Sequence, residues 1–191
     1  MATGTLDEVV TWVRRLREAE LPFMLVGAYA VAAHGFPRST GDIDFVVHLP
    51  FEDRARVRAV MERHGVANIH ERVDSQWGKR LAADLSSGLT LEVFLTPLAP
   101  VHDREYERRV TIDLAGEPTP VLSPEDLVLR KLVNIRLRRG LDYDDAVGVI
   151  ARQGAHLDLA YVRAHAAFYR VGEILERAIK DAASAEPEAP G

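Results

Sequence analysis

The sequence predicts a mixed α/β fold: a central mixed sheet of about five strands, flanked by helices, with a helical C-terminal part. Three observations predict it. Short apolar runs of strand length, bounded by glycine or proline, alternate with helix-period segments over the first two thirds of the 191 residues. Ser86-Ser87-Gly88 joins two such runs into a hairpin. The last third carries only helix-period segments.

Val9, Val13 and Leu16 recur at helical spacing beside Trp12, and Thr5 with Glu8 forms a capping box. Residues 5–19 are therefore the first helix, closed by Pro22. Residues 23–26 are a short apolar strand ending at Gly27. Residues 28–33 are alanine-rich and helical, with His34-Gly35 as the stop. Residues 37–41 form a polar loop, 42–48 a second strand, and 52–64 an amphipathic helix stopped by Gly65. Residues 79–85 and 89–96 are the two hairpin strands. Val110, Ile112 and Leu114 alternate in a further strand over 109–114. Ser123 is an N-cap, Pro124 suits the first helical position, and Glu125 and Asp126 favour the positive helix end; that helix runs to about residue 138. Residues 142–153, 157–169 and 172–182 are further helices. The expected organisation is a core over 1–122, a helical part over 123–182 packed on it, and a disordered tail over 183–191 rich in Ala, Pro, Glu and Ser.

Composition narrows the function classes. The net charge of −5 argues against coating nucleic acid by bulk charge, while leaving room for a local basic groove. There is no cysteine, hence no disulfide and no thiolate metal site. No apolar leader core and no run of roughly 18 apolar residues occurs, so a cytoplasmic protein without a membrane partner is expected.

Asp42-Ile43-Asp44-Phe45-Val46-Val47 is the most informative stretch. Residues two apart on a strand share a face, so Asp42 and Asp44 project together with Cα atoms roughly 7 Å apart, while Ile43 and Phe45 face a core. Two neighbouring carboxylates repel each other, and Mg²⁺ with substrate phosphates relieves that repulsion. For a lone Asp-x-Asp a solvated strand end is the simpler explanation. Here, however, a strand–Gly27–helix unit lies just upstream, and a helix start after a glycine turn offers N–H groups to phosphate.

The stretch from Val26-Gly27-Ala28 through Arg38-Ser39-Thr40-Gly41-Asp42-Ile43-Asp44-Phe45 resembles the signature of the DNA polymerase beta-type nucleotidyltransferase superfamily. Its Arg-x-Thr-x-Asp-Ile-Asp form is similar to the branch of AbiEii-type toxins and related small bacterial nucleotidyltransferases. The resemblance spans roughly residues 23–150 and implies a nucleotidyltransferase fold. It departs at Ala28, where the family has Gly or Ser; alanine keeps the small size but lacks the hydroxyl of serine and glycine's freedom at positive φ.

The resemblance also implies a third carboxylate on a later strand. Glu92, in Leu91-Glu92-Val93-Phe94, is the best match, and Asp84 beside the hairpin turn is its rival. A charge inside an apolar run is costly unless compensated; a metal or base role explains it, as does an edge position facing water. By resemblance, Asp42, Asp44 and Glu92 are catalytic and bind one or two Mg²⁺ ions. By the same resemblance Gly27, Ala28 and Lys131 are expected to contact the nucleotide; Arg38, Ser39 and Thr40 stand where their side chains reach phosphate oxygens across the turn, and loop solubility explains them as well. The implied reaction transfers a nucleoside monophosphate from an NTP to a hydroxyl of an acceptor, RNA such as tRNA or a protein. A cognate antitoxin or toxin is an implied partner. The other reading is a catalytically inactive binding module with the same fold.

Arg130, Lys131, Arg136, Arg138 and Arg139 form a basic run that suits either a solvated helix face or phosphate contacts. Asp142 and Asp145 follow at the spacing the AbiEii-like branch shows, where they orient nearby basic residues or simply suit a helix N-terminus. His34 is more simply structural than a base, and Trp77 and Tyr106 suit packing better than stacking on a nucleobase.

Overall fold

The computed structural model describes residues 3–74, 78–96, 100–135 and 141–184. The chain divides into two compact units, Met1–Ala30 with Arg38–Leu122, and Val31–Pro37 with Ser123–Gly191.

The first unit is built on a seven-stranded sheet. In chain order its elements are α1 (Thr3–Glu18), β1 (Phe23–Leu25), the start of α2 (Gly27–Ala33), β2 (Asp42–Val47), α3 (Arg54–Arg63), β3 (His70–Asp74), β4 (Gly78–Asp84), β5 (Thr90–Leu95), α4 (Pro100–Glu107), β6 (Val110–Leu114) and β7 (Glu117–Val121). The strand order is β3-β4-β5-β2-β1-β7-β6. β2 runs parallel to β5, and β1 parallel to β7; the other neighbours are antiparallel.

One face of the central strands is dry. Ile43, Phe45 and Val47 of β2, Leu91, Val93 and Leu95 of β5, and Leu81 of β4 are at most 1% exposed. Each such Leu, Ile or Phe contributes about 1.5–3 kcal/mol relative to exposure. Phe23 meets Phe45 edge to face at 5.8 Å between ring centres. α1 buries Val9, Trp12, Val13 and Leu16, the helix-period residues read from the sequence.

The sheet has seven strands where about five were expected, and the residue types explain the difference. β3 reads His-Glu-Arg-Val-Asp and lies at the sheet edge, with its Val73 80% exposed; a polar edge strand has no apolar alternation to detect. β7 reads Glu-Pro-Thr-Pro-Val, and proline within a run argues against a strand. Here β6 pairs along all of β7, whereas β1 reaches it only at Val121. Pro118 and Pro120 alternate with Glu117, Thr119 and Val121, so their nitrogens turn away from β6 and no ladder bond is lost. Glu117 is 8% exposed; it pairs with Arg14 Nε at 2.6 Å and with Arg17, whose guanidinium also donates to the carbonyl of Pro118. α4 was also missed, because half of its eight residues are charged and no apolar stripe runs along it.

The second unit holds α5 (Pro124–Ile135), α6 (Leu141–Gln153), α7 (Leu159–Tyr169) and α8 (Gly172–Ser184), with residues 31–37 beside them. The predicted cap of α5 forms: Ser123 Oγ accepts from the Asp126 N–H at 3.2 Å and donates to the Asp126 carboxylate at 2.8 Å. Tyr161 Oη donates to the other Asp126 oxygen at 2.7 Å, tying α7 to the start of α5. Tyr143 Oη donates to Asp181 at 2.6 Å, tying α6 to α8. Burial and that carboxylate push the Tyr143 phenol up to about 12. α8 continues to Ser184, two residues into the expected tail; the rest of the tail, and Arg136, Arg138, Arg139 and Trp77, lie outside the described residues.

Candidate active site

The strand register assembles an acidic face. Along the parallel pair, Asp42 lies opposite Thr90 and Asp44 opposite Glu92. Along the antiparallel pair, Asp84 lies opposite Thr90 and Ala82 opposite Glu92. Registered residues on adjacent strands share a face, with strands about 4.8 Å apart. Asp42, Asp44, Asp84 and Glu92 therefore occupy two neighbouring rows of one face, backed by the apolar residues on the other. Asp42 is exposed, and Asp44 and Glu92 are half-buried. Asp84, the rival to Glu92, is exposed and accepts from Thr90 Oγ1 at 3.1 Å.

Gly27 opens α2 directly against Asp44. Its φ is +64°, and a Cβ there would stand 2.0 Å from Asp44 Oδ2 and 2.7 Å from Cγ. Glycine is required twice, by the backbone angle and by the carboxylate filling the place of a side chain. The Val26 N–H donates to the Asp44 carbonyl at 2.9 Å, which fixes the turn to β2. Ala28 is 3% exposed, and Tyr29 beside it has its phenol raised above its ordinary value by burial. In the approach to β2, Thr40 Oγ1 accepts from the Asp42 N–H at 3.2 Å, and Arg38 donates to the Ser39 carbonyl at 3.1 Å. Thr40 thus shapes the turn that launches Asp42, and Ser39 is exposed.

Glu92 has a partner the sequence reading missed. Arg80 Nε lies 3.2 Å from Glu92 Oε1, with the two side chains 19% and 15% exposed. Arg80 is two residues from Ala82 on β4, so it shares the acidic face and leans diagonally toward Glu92. Alternation of Arg80, Ala82 and Asp84, counted back from the Ser-Ser-Gly turn, carried that signal.

Lys131 belongs to the second unit. Its ammonium lies 3.0 Å from Asp142 Oδ1 and 2.7 Å from Asp145 Oδ2, with Lys131 only 7% exposed and Asp145 1%. His34 is 5% exposed, and its carbonyl accepts from Gln153 Nε2 at 3.0 Å. Tyr106 stacks on His48 at 4.7 Å, with the Arg109 guanidinium 3.8 Å from its ring centre.

Among the described residues, no three His, Asp or Glu side chains converge closely enough to hold a metal by themselves. The donor chemistry nonetheless suits magnesium. Asp42 and Asp44 offer hard oxygens on one face, and Mg²⁺ is commonly held by one or two carboxylates together with substrate phosphates. A cavity of about 530 Å³ lies elsewhere, between Phe51, Val73, Lys79 and Leu95 at the opposite ends of β2 and β5 from the acids. No helix among the described residues is long and apolar enough to cross a membrane.

The helix-flanked mixed sheet, with its acidic strand beside a glycine turn, is the nucleotidyltransferase fold. Solved structures with this fold overlay three quarters or more of the chain. The antibiotic-resistance factor ANT(2'')-Ia overlays with a TM-score of 0.60 at 19% identity, covering 93% of this chain and 97% of its own. It has also been solved in complex with adenylyl-2''-tobramycin. An antigenic nucleotidyltransferase-like protein from Paracoccidioides brasiliensis overlays with a TM-score of 0.55 at 16% identity, covering 92% of this chain and 91% of its own. The lincosamide antibiotic adenylyltransferase LnuA, solved with lincomycin bound, overlays with a TM-score of 0.51 at 13% identity, covering 75% and 94%. No family model and no curated protein matches the sequence.

Proposed function

We propose that this chain is a Mg²⁺-dependent nucleotidyltransferase that moves a nucleoside monophosphate from an NTP to a hydroxyl of its acceptor. One observation carries the reading: β2 and β5 pair in the register that sets Glu92 beside Asp44, with Asp42 one pleat away, against a glycine whose missing side chain makes room for the Asp44 carboxylate. In this reading Asp42 and Asp44 hold the metal, which neutralises charge on the triphosphate when bound. Glu92 is the third carboxylate, ligating the metal or receiving the acceptor's hydroxyl proton. The acceptor oxygen then bonds to the α-phosphorus, the bond to the bridging oxygen breaks, and pyrophosphate leaves. Alignment of the two oxygens and neutralisation of charge are the main catalytic requirements. Gly27 and Ala28 border the phosphates, and Arg38, Ser39 and Thr40 are the phosphate contacts from the loop before β2. Within the second unit Asp142 and Asp145 hold Lys131, the triphosphate contact that the AbiEii-type resemblance suggests.

The near full-length likeness to ANT(2'')-Ia, and that to LnuA, supports nucleotidyl transfer as the reaction class and puts small hydroxylated antibiotics among the acceptors to test. The resemblance to AbiEii-type proteins adds tRNA and protein acceptors and a toxin–antitoxin setting in the cytoplasm. The test is incubation with each radiolabelled NTP, Mg²⁺ and, in turn, tobramycin, lincomycin, bulk tRNA and lysate protein. Label transfer is expected with one class and should be lost in Asp42→Ala and Asp44→Ala. Label that survives Asp44→Ala overturns the site. A second reading, a binding module without turnover, is favoured by the Arg80 guanidinium on Glu92 and by Ala28. It predicts calorimetric binding of Mg²⁺ and a non-hydrolysable NTP with no transfer to any acceptor.

A further inference from the structure

We infer that Arg80 is a built-in counter-ion of the acidic face, holding Glu92 in place while no metal is bound and competing with a divalent cation for it. The inference rests on reading that face as a metal site. It makes Arg80 a positioning residue, acting through Glu92.

Glu92 lies between Leu91 and Val93, both at most 1% exposed, and a lone charge there is costly. The Arg80 guanidinium supplies the missing charge at 3.2 Å. Both partners are mostly out of water, so the pair is screened far less than a surface ion pair. Ala82, 2% exposed, lies directly opposite Glu92, so the residue between Arg80 and Asp84 on that face is small. The Phe94 ring, opposite Arg80 in register, lies 5.3 Å from its Cζ. The face therefore presents Asp42, Asp44 and Asp84 around a Glu92 whose charge is already balanced. A cation arriving at Asp42 and Asp44 meets the Arg80 charge, and it gains Glu92 as a ligand only if the guanidinium gives way. Two positive groups cannot share that carboxylate without mutual repulsion.

The test uses Mn²⁺ alone, followed by electron paramagnetic resonance on the full chain. Arg80→Gln and Arg80→Met are expected to bind Mn²⁺ about tenfold more tightly than the wild type, the order set by removing one like charge a few ångström away in a partly exposed site. Arg80→Lys, which keeps the charge, should bind as the wild type does. Without metal, Arg80→Gln should melt lower, and Mg²⁺ should raise its melting point more than it raises that of the wild type. In a Glu92→Gln background the Arg80 substitutions should no longer tighten Mn²⁺ binding by that amount. A purely structural ion pair would lower stability without changing the metal dependence. Should the Arg80 variants fail to fold, the wild type still decides: added Mg²⁺ must move the Arg80 Nε–H resonance. Unchanged or weaker Mn²⁺ binding in the variants, or an unmoved resonance in a wild type that binds Mg²⁺, overturns the role of Arg80 and leaves the proposed site standing. Absence of Mn²⁺ binding in every variant, together with absence of label transfer, overturns the metal site itself.

Discussion

Replacing Gly27 by alanine tests the tightest contact in the proposed site. Two costs add. The first is conformational: at φ +64° an L-residue with a Cβ pays about 1–2 kcal/mol. The second is steric: the new methyl would stand 2.0 Å from Asp44 Oδ2 and 2.9 Å from Asp44 Cβ, so the carboxylate and its strand must move. Overpacking of that kind costs about 1–3 kcal/mol. The total is about 2–5 kcal/mol, a large part of the roughly 5–15 kcal/mol that holds a domain folded. For a chain of this size a loss of about 3 kcal/mol lowers Tm by roughly 6–12 °C. Gly65 provides the internal control: its φ is +80° with nothing within 4 Å of a Cβ, so Gly65→Ala isolates the first cost. Urea and thermal unfolding of both variants measure the difference. Gly27→Ala combined with Asp44→Ala should recover part of the loss, since the carboxylate that clashed is gone, and transfer activity should fall by about 10²-fold or more in Gly27→Ala alone. Equal destabilisation of the Gly27 and Gly65 variants would refute the claim that Asp44 is pressed against the turn.

Other outcomes follow from the same geometry. Lys131→Met should cost about 3–5 kcal/mol in urea unfolding, because it takes the Lys131 ammonium from the buried Asp145 carboxylate; Lys131→Met with Asp145→Asn should regain part of it. The Tyr143 phenol, pushed up to about 12 by burial and by Asp181, stays protonated in the folded chain after it would ionise unfolded. Its contribution to stability is therefore complete below about pH 10 and is lost as pH rises through about 12. Alkaline ultraviolet titration of the wild type against Tyr143→Phe should show one tyrosine fewer titrating late, and an unchanged late phase would contradict the hydrogen bond to Asp181.

The apolar strands and amphipathic helices were readable because burial imposes period 2 or 3.6 on them, as in Ile43, Phe45 and Val47 or in Val9, Val13 and Leu16. The cap at Ser123 was readable because local chemistry alone determines it. β3 and α4 were not, since neither owes its form to a detectable apolar stripe. β7 was hidden by prolines that are tolerable only because their nitrogens face away from β6, toward a flank that β1 meets only at Val121. In the candidate site, the shared face of Asp42 and Asp44 needed only the strand period, whereas the adjacency of Glu92 depended on which strand pairs with β2. That pairing is a parallel crossover over more than forty residues, beyond any local pattern. The Arg80 contact needed the hairpin register as well, and the Lys131 clamp needed the packing of α5 on α6.

The two prolines of β7 have a consequence for how the sheet behaves in a crowded solution. Among the described residues, β7 has β6 on one flank and over most of its length no strand on the other, since β1 meets it only at its final residue. An extended peptide entering that flank would need N–H donors, and Pro118 and Pro120 present none. It would also need the Pro118 carbonyl, which the Arg17 guanidinium already occupies. The gap is thereby closed to stray strands by chemistry rather than by bulk, and residues that weaken β7 as a strand guard the sheet against edge-to-edge aggregation.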